Sequence, residues 1–165
     1  MKKIKLFVTD VDGTLTDSTV YVSETGEVMK QFSHRDGRGF YLLKERGCPV
    51  GVLTSEAGGI NRARISKLMK LGTVTYFSDG TEPGDKLEKL HGICEKMGID
   101  LKTEVAFIGD DTNDECLFNN IDTVACPADA HASVKDITGI LVMVHAGGRG
   151  AVRDFIDYLL EENLV

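Results

Sequence analysis

The chain has 165 residues, enough for one domain around one core, and its 42% hydrophobic and 27% charged content is that of an ordinary soluble protein. A formal net charge of −7 argues against nucleic acid or an anionic membrane surface as partner. No apolar run approaches the roughly 20 residues that span a bilayer, and the basic start "MKKIKLFVTD" lacks the apolar stretch and cleavage site of a signal peptide, so a cytoplasmic location is expected.

Six short, β-branched apolar runs are predicted strands: residues 4–8, 49–54, 73–77, 104–109, 122–126 and 139–144. Runs this continuous suit a parallel sheet covered on both faces. The stretch 19–32, with two β-type runs around Glu24-Thr25-Gly26-Glu27, reads as a β-hairpin inserted after the first strand. Helices are predicted over 36–46, burying Phe40, Leu42 and Leu43, and over 58–71, with Ile60, Ala63, Leu68 and Leu71 at near-helical spacing. A third opens at Pro83, carries Leu87, Leu90, Ile93, Cys94 and Met97 on one stripe and stops at Gly98. The last sets Val152, Phe155, Ile156, Leu159 and Leu160 at i, i+3, i+4, i+7, i+8. Strand and helix alternate, which predicts a three-layer, doubly wound α/β fold over residues 1–165. Cys48, Cys94, Cys116 and Cys126 form no CxxC pair and read as reduced, mostly buried thiols. His34, His91, His131 and His145 read as surface or packing residues.

Ligands of open α/β sheets sit at the carboxyl ends of the strands. There the first strand ends on Asp10 and Asp12, the second on Thr54 and Ser55, and the fourth on "GDDTNDE" with Asp110, Asp111 and Asp114. Lys86 falls in the first turn of the helix that opens near Pro83. Carboxylates, a hydroxyl and a lysine on one rim suit phosphoryl transfer. A carboxylate cluster holds a hard cation such as Mg²⁺, while Thr54 donates to a phosphoryl oxygen and Lys86 adds positive charge. Asp10 is placed to attack phosphorus, and Asp12 to protonate the leaving alkoxide and later take a proton from water. Each piece has a plainer reading: a turn for "DVDG", a helix cap for Thr54, a solvated surface lysine for Lys86, a helix start for "DDTNDE". Their convergence on one rim favours the catalytic reading.

"DVDGT" at 10–14 resembles the signature of the haloacid dehalogenase-like superfamily, most of whose members are Mg²⁺-dependent phosphatases. "GVLTSE", "PGDKL" and "IGDDTND" resemble its later motifs, in order along the whole chain. The resemblance implies Asp10 as nucleophile and Asp12 as general acid/base. It implies Mg²⁺ held by Asp10, the Asp12 backbone carbonyl and Asp110, with Asp111 and Asp114 behind them. The 44 positions from Asp10 to Thr54 and the 32 from Thr54 to Lys86 leave no room for a cap domain.

The hairpin, "FSHRDGRGFYLLKERG" and the late "HAGGRGAVRDFIDYLL" resemble the capless subfamily that dephosphorylates 3-deoxy-octulosonate 8-phosphate. That resemblance implies a homotetramer in which hairpins pack together, adjacent subunits complete each site, and a segment near "GGRG" reaches a site. Those enzymes typically read Thr-Gly-Arg after the second strand, whereas this chain reads Thr54-Ser55-Glu56, with Arg64 and Lys67 on the next helix. In this it looks closer to the sister enzymes acting on 2-keto-3-deoxynononate 9-phosphate, a nine-carbon deaminated sialic acid. The expected substrate is therefore that ester, with the eight-carbon ester as the alternative. Glu56 would accept from sugar hydroxyls, and Arg64 and Lys67 would pair with the sugar-acid carboxylate; the plainer reading of the last two is a solvated helix face. Two rival readings are a phospho-accepting signalling module, disfavoured by the second acidic cluster on the fourth strand, and a non-catalytic scaffold assembled through the hairpin.

Overall fold

The computed structural model describes residues 3–165. Its centre is a six-stranded parallel sheet made of β1 (Leu6–Thr9), β4 (Val50–Leu53), β5 (Tyr76–Ser78), β6 (Val105–Ile108), β7 (Thr123–Cys126) and β8 (Leu141–Val142), in the order β5-β4-β1-β6-β7-β8. Strand β1 lies between β4 and β6, pairing Thr9 with Val52 on one side and Ile108 on the other. The chain reverses its direction of travel across the sheet beside β1, which opens a crevice at the carboxyl ends of β1, β4 and β6.

Side chains alternate across the sheet, as the pleat requires. Phe7, Val50, Val52 and Ile108 face helices α1 (His34–Glu45), α2 (Gly59–Lys70) and α7 (Ala151–Glu161). Leu6, Val8, Leu53 and Phe107 face α3 (Lys86–Met97) and the short α4 (Leu101–Glu104) and α5 (Glu115–Phe118). The expected single core is thus two apolar layers divided by the sheet. A third short helix, α6 (Ala132–Lys135), follows β7. Helix α3 begins one turn later than Pro83 suggests. Asp85 is its cap, in a reciprocal box with Glu88, and this makes Lys86 the first helical residue; Gly98 ends it in the left-handed conformation.

The hairpin is present as β2 (Tyr21–Ser23) and β3 (Gly26–Met29), paired antiparallel apart from the main sheet. Between β1 and β4 lie only this hairpin and α1, and between β4 and α3 only α2 and β5, so there is no cap among the described residues. No helix among them is long and apolar enough to cross a membrane. Two helical faces differ from expectation. In α1 the buried set is Asp36, Gly39, Phe40 and Leu43, with Leu42 only partly covered. In α2 it is Asn61, Ile65 and Leu68, while Ala63 and Leu71 are exposed. Both differences come from a polar residue that the helix turns inward to serve another element.

Asp36 serves α7. That helix starts at Gly150, which has no capping side chain, and Asp36 Oδ1 accepts from the backbone N–H of Arg153 at 3.0 Å. Burial pushes the Asp36 carboxyl up to about 6, with Asp154 adding repulsion and the Arg153 N–H, Arg64 and His145 opposing. The folded protein therefore holds a proton that the unfolded chain releases from about pH 4 upward, and this carboxyl costs stability as pH rises to about 6. Asp36→Asn keeps the acceptor without the charge. It is expected to be more stable than wild type by about 3 kcal/mol at pH 7 and close to it near pH 4, as measured by urea unfolding at both values.

Candidate active site

Asp10 follows β1 directly, and its N–H donates to Ile108 O at 3.0 Å, so the ends of β1 and β6 are locked side by side. The chain then turns: the N–H groups of Thr14, Leu15 and Thr16 all converge on Val11 O. Gly13 sits at φ +89°, and a Cβ there would lie 1.9 Å from Asp110 Oδ2. Only glycine supplies both the backbone angle and the room for that carboxylate. Thr14 Oγ1 donates to the other oxygen of Asp110 at 3.1 Å. On the far side of β1, Thr54 N donates to Ser78 O, and Thr54 Oγ1 accepts from Glu56 N at 3.1 Å, which leaves its O–H to donate elsewhere.

Oxygens of Asp10, Asp110 and Asp114 lie within 4.8 Å of one another. Lys86, 5% exposed, bridges two of them: its Nζ is 2.7 Å from Asp10 Oδ1 and 2.6 Å from Asp114 Oδ1. Asp114 is fully buried, and its second oxygen accepts from Asp110 N at 3.3 Å. It is therefore spent on holding Lys86 and the loop, while Asp10 and Asp110 each keep a second oxygen outside the bonds to Lys86 and Thr14. Burial and the neighbouring Asp114 push Asp10 up to about 8, against the pull of Lys86, and the same two causes push Asp110 up to about 7. One lysine does not balance three carboxylates, two buried and one half-buried. The missing charge and the all-oxygen donor set fit a hard divalent cation such as Mg²⁺ between Asp10 and Asp110. Asp111, by contrast, is exposed and turns its carboxylate to Thr112 N at 2.6 Å, capping its own turn.

A second polar network surrounds Asp12. Its Oδ1 accepts from Lys30 Nζ at 2.9 Å and its Oδ2 from Asn61 Nδ2 at 2.8 Å. Lys30 also donates to Glu56, and Asn61 reaches the same Glu56 oxygen at 3.3 Å. Desolvation pushes Asp12 up, but the bonds with Glu56, Lys30 and Asn61 outweigh it and hold it below the ordinary carboxylate range. Burial raises Glu56. Lys30 and Asn61 carry no motif and escape a reading of the sequence. The one available signal is that Asn61 lies four and seven positions before Ile65 and Leu68, on their face of α2.

Of the sequence-predicted residues, Asp10, Asp12, Thr54, Lys86, Asp110 and Asp114 come together at the rim, with Glu56 beside them. Ser55 is exposed next to Thr54. Arg64 and Lys67 are not brought in: Arg64 lies over the Phe32 ring at 5.7 Å, and Lys67 points from the exposed side of α2. The "GGRG" segment does reach the site from within the same chain. Gly148 N donates to Thr14 O at 3.0 Å, and a Cβ on Gly147 would fall 1.9 Å from Gly13 O. The concavity lined by Lys44, Cys48, Pro49 and Thr73 holds no such cluster. Cys48 is pushed up to about 12 by burial, an inert thiol.

A parallel sheet with carboxylates at two adjacent strand ends, bridged by a buried lysine, defines a phosphoryl-transfer hydrolase of the doubly wound class. No protein-family model matches the chain. It is 34% identical over 164 residues to the 3-deoxy-D-manno-octulosonate 8-phosphate phosphatase of Haemophilus influenzae, covering 98% of this chain and 85% of that one. The cobalt-bound structure of the H. influenzae phosphatase superposes with a TM-score of 0.85 at 33% identity, over 96% of this chain and 88% of that one. The Moraxella catarrhalis enzyme, solved with a magnesium ion, a phosphate ion and a KDO molecule, gives 0.83 at 28%, over 96% and 86%. The chain belongs to the haloacid dehalogenase-like superfamily, in the capless branch of 3-deoxy-D-manno-octulosonate 8-phosphate phosphatase-like sugar-acid phosphatases.

Excess Mg²⁺ is expected to raise the melting temperature of the wild type, since a ligand at a hundredfold its Kd adds about 2.7 kcal/mol. Asp110→Asn should lose that rise. Protons compete for Asp10 and Asp110 up to about pH 8 and 7, so the rise should shrink as pH falls from 8 to 6. Thermal melts with and without Mg²⁺ across that range check both points.

Proposed function

We propose that the chain hydrolyses the phosphate ester of a 2-keto-3-deoxy sugar acid through an aspartyl-phosphate on Asp10. The observation that carries this is the buried Lys86 held between Asp10 and Asp114 beside Asp110. An oxygen of Asp10 attacks phosphorus, the bond from phosphorus to the sugar oxygen breaks, and Asp12, ionised in the free enzyme and protonated once the anionic phosphate stands beside it, gives that oxygen its proton. Water then attacks phosphorus, Asp12 takes the water's proton, and Asp10 is released as a carboxylate with inorganic phosphate. Lys86 fixes Asp10 for attack, and Thr54 donates to a phosphoryl oxygen. Asp10, the Asp12 carbonyl and Asp110 would hold Mg²⁺, which would supply the positive charge that lets one anion approach another. Asp114 keeps Lys86 in place. The reaction is placed in the cytoplasm, on a dissolved small molecule.

For the sugar, the named activity of the relatives favours 3-deoxy-D-manno-octulosonate 8-phosphate over the nine-carbon ester expected from the sequence. One observation keeps 2-keto-3-deoxynononate 9-phosphate as a second reading: an anion, Glu56, stands beside Asp12 where an arginine is typical of the eight-carbon enzymes. Glu56, with Ser55, would then accept from sugar hydroxyls. Parallel kinetics on the two esters decide between the readings by kcat/KM. Asp10→Asn is expected to lose at least about 10³-fold in kcat on either ester; retained turnover would remove Asp10 as nucleophile.

A homotetramer completes this reading. The hairpin exposes Tyr21, Val22, Val28 and Met29, each at 55% or more, an apolar surface that packing between subunits would cover. Arg64 and Lys67, outside their own subunit's site, would meet the sugar-acid carboxylate in a neighbour's. Val22→Glu with Val28→Lys is expected to shift the gel-filtration mass toward the monomer and to raise KM together. A monomeric wild type would contradict the assembly.

A further inference from the structure

Lys30 is an unusual lysine. Every residue of β2 and β3 is exposed, yet the next residue drops to 8% and its Nζ is driven into the site. There it meets Asp12, Glu56 and, at 3.7 Å, Glu27. Asn61 arrives from the opposite side, fully buried, on a helix face otherwise made of Ile65 and Leu68. Its Oδ1 has no partner among the described residues. A buried ammonium and a half-satisfied buried amide are poor choices for stability alone, because apolar side chains of like volume serve a core at least as well. Between them they occupy both oxygens of Asp12, one donor on each, and both donors are anchored on the same oxygen of Glu56.

We infer that Lys30 and Asn61 are positioning residues that clamp the Asp12 carboxyl from the hairpin and from α2, so that proton delivery to the leaving oxygen depends on the hairpin. The inference rests on the phosphatase reading above and deepens it. A proton donor free to swing loses the advantage of being held at the reacting oxygen. Two donors on two separate elements remove that freedom, because rotation of the carboxyl breaks both bonds. The hairpin is thereby part of the chemistry as well as an apolar surface for assembly.

The loss of a clamp on a proton donor has a distinctive signature. An ester whose leaving group departs as a stable anion does not need the proton, whereas a simple alkoxide does. The test is kcat/KM, which covers the steps up to departure of the alcohol, for wild type, Lys30→Met, Lys30→Arg and Asn61→Leu on p-nitrophenyl phosphate and a small alkyl phosphate. Lys30→Met is expected to fall about 10²-fold on the alkyl ester and less than about threefold on the aryl ester. Asn61→Leu should show the same bias to a smaller degree, and Lys30→Arg should recover most of the alkyl activity. Equal losses on both esters, or an unchanged alkyl rate, would overturn the clamp while leaving the phosphatase reading intact. Failure of the wild type on both esters and on both sugar-acid phosphates would instead remove that reading. Thermal melts identify a variant that does not fold, and should Lys30→Met be one, the bias in Asn61→Leu decides the matter.

Discussion

Like charges at close range are the constraint to which the rest of the structure answers. Asp10, Asp110 and Asp114 converge within 4.8 Å in a largely buried setting, where charge is poorly screened. Lys86 relieves part of that repulsion through two short bonds, and the remainder is what makes the site attractive to a divalent cation. The acidity shifts of Asp10 and Asp110, both upward, come first from burial and then from the charge of Asp114 beside them.

The backbone makes this convergence possible. β1 and β6 are neighbours in register, so Asp10 and Asp110 leave the sheet side by side. Gly13 then folds the chain over without filling the space that Asp110 needs. Gly147 and Gly148 lay the segment after β8 against the same turn, and this ties the outer edge of the sheet to its centre. The capping box at Asp85 fixes where α3 starts, and hence that Lys86 enters the crevice from the first helical position. Among the described residues no cap domain lies between these elements.

Much of this was legible in the sequence. The six strands, the hairpin, the long helices and the motif residues were all readable because each depends on local patterning: continuous β-branched runs, period-3.6 stripes and paired acids at strand ends. Misreadings arose where a side chain answers to a distant partner. Asn61 occupies an apolar face because Asp12 lies opposite it, and Asp36 turns inward because α7 lacks a cap of its own. Neither need is written in the neighbouring residues. Lys30 looked like the tail of a hairpin, since nothing in "VMKQF" announces the two carboxylates it meets. Asp111 stands apart for the opposite reason: its carboxylate accepts from the adjacent N–H of Thr112, a local bond that keeps it at its own turn. The nine-carbon expectation rests on Thr54-Ser55-Glu56 with Arg64 and Lys67, a few positions beside relatives that share the whole fold.

That position also bears on re-engineering. Glu56 is held by the ammonium of Lys30, so the two form an electrostatic couple rather than independent choices. Installing an arginine at 56 alone would set two cations face to face beside Asp12, whose single negative charge balances only one of them. Exchange at 30 and 56 therefore has to be made together to keep this network balanced, and single substitutions should read as epistatic defects.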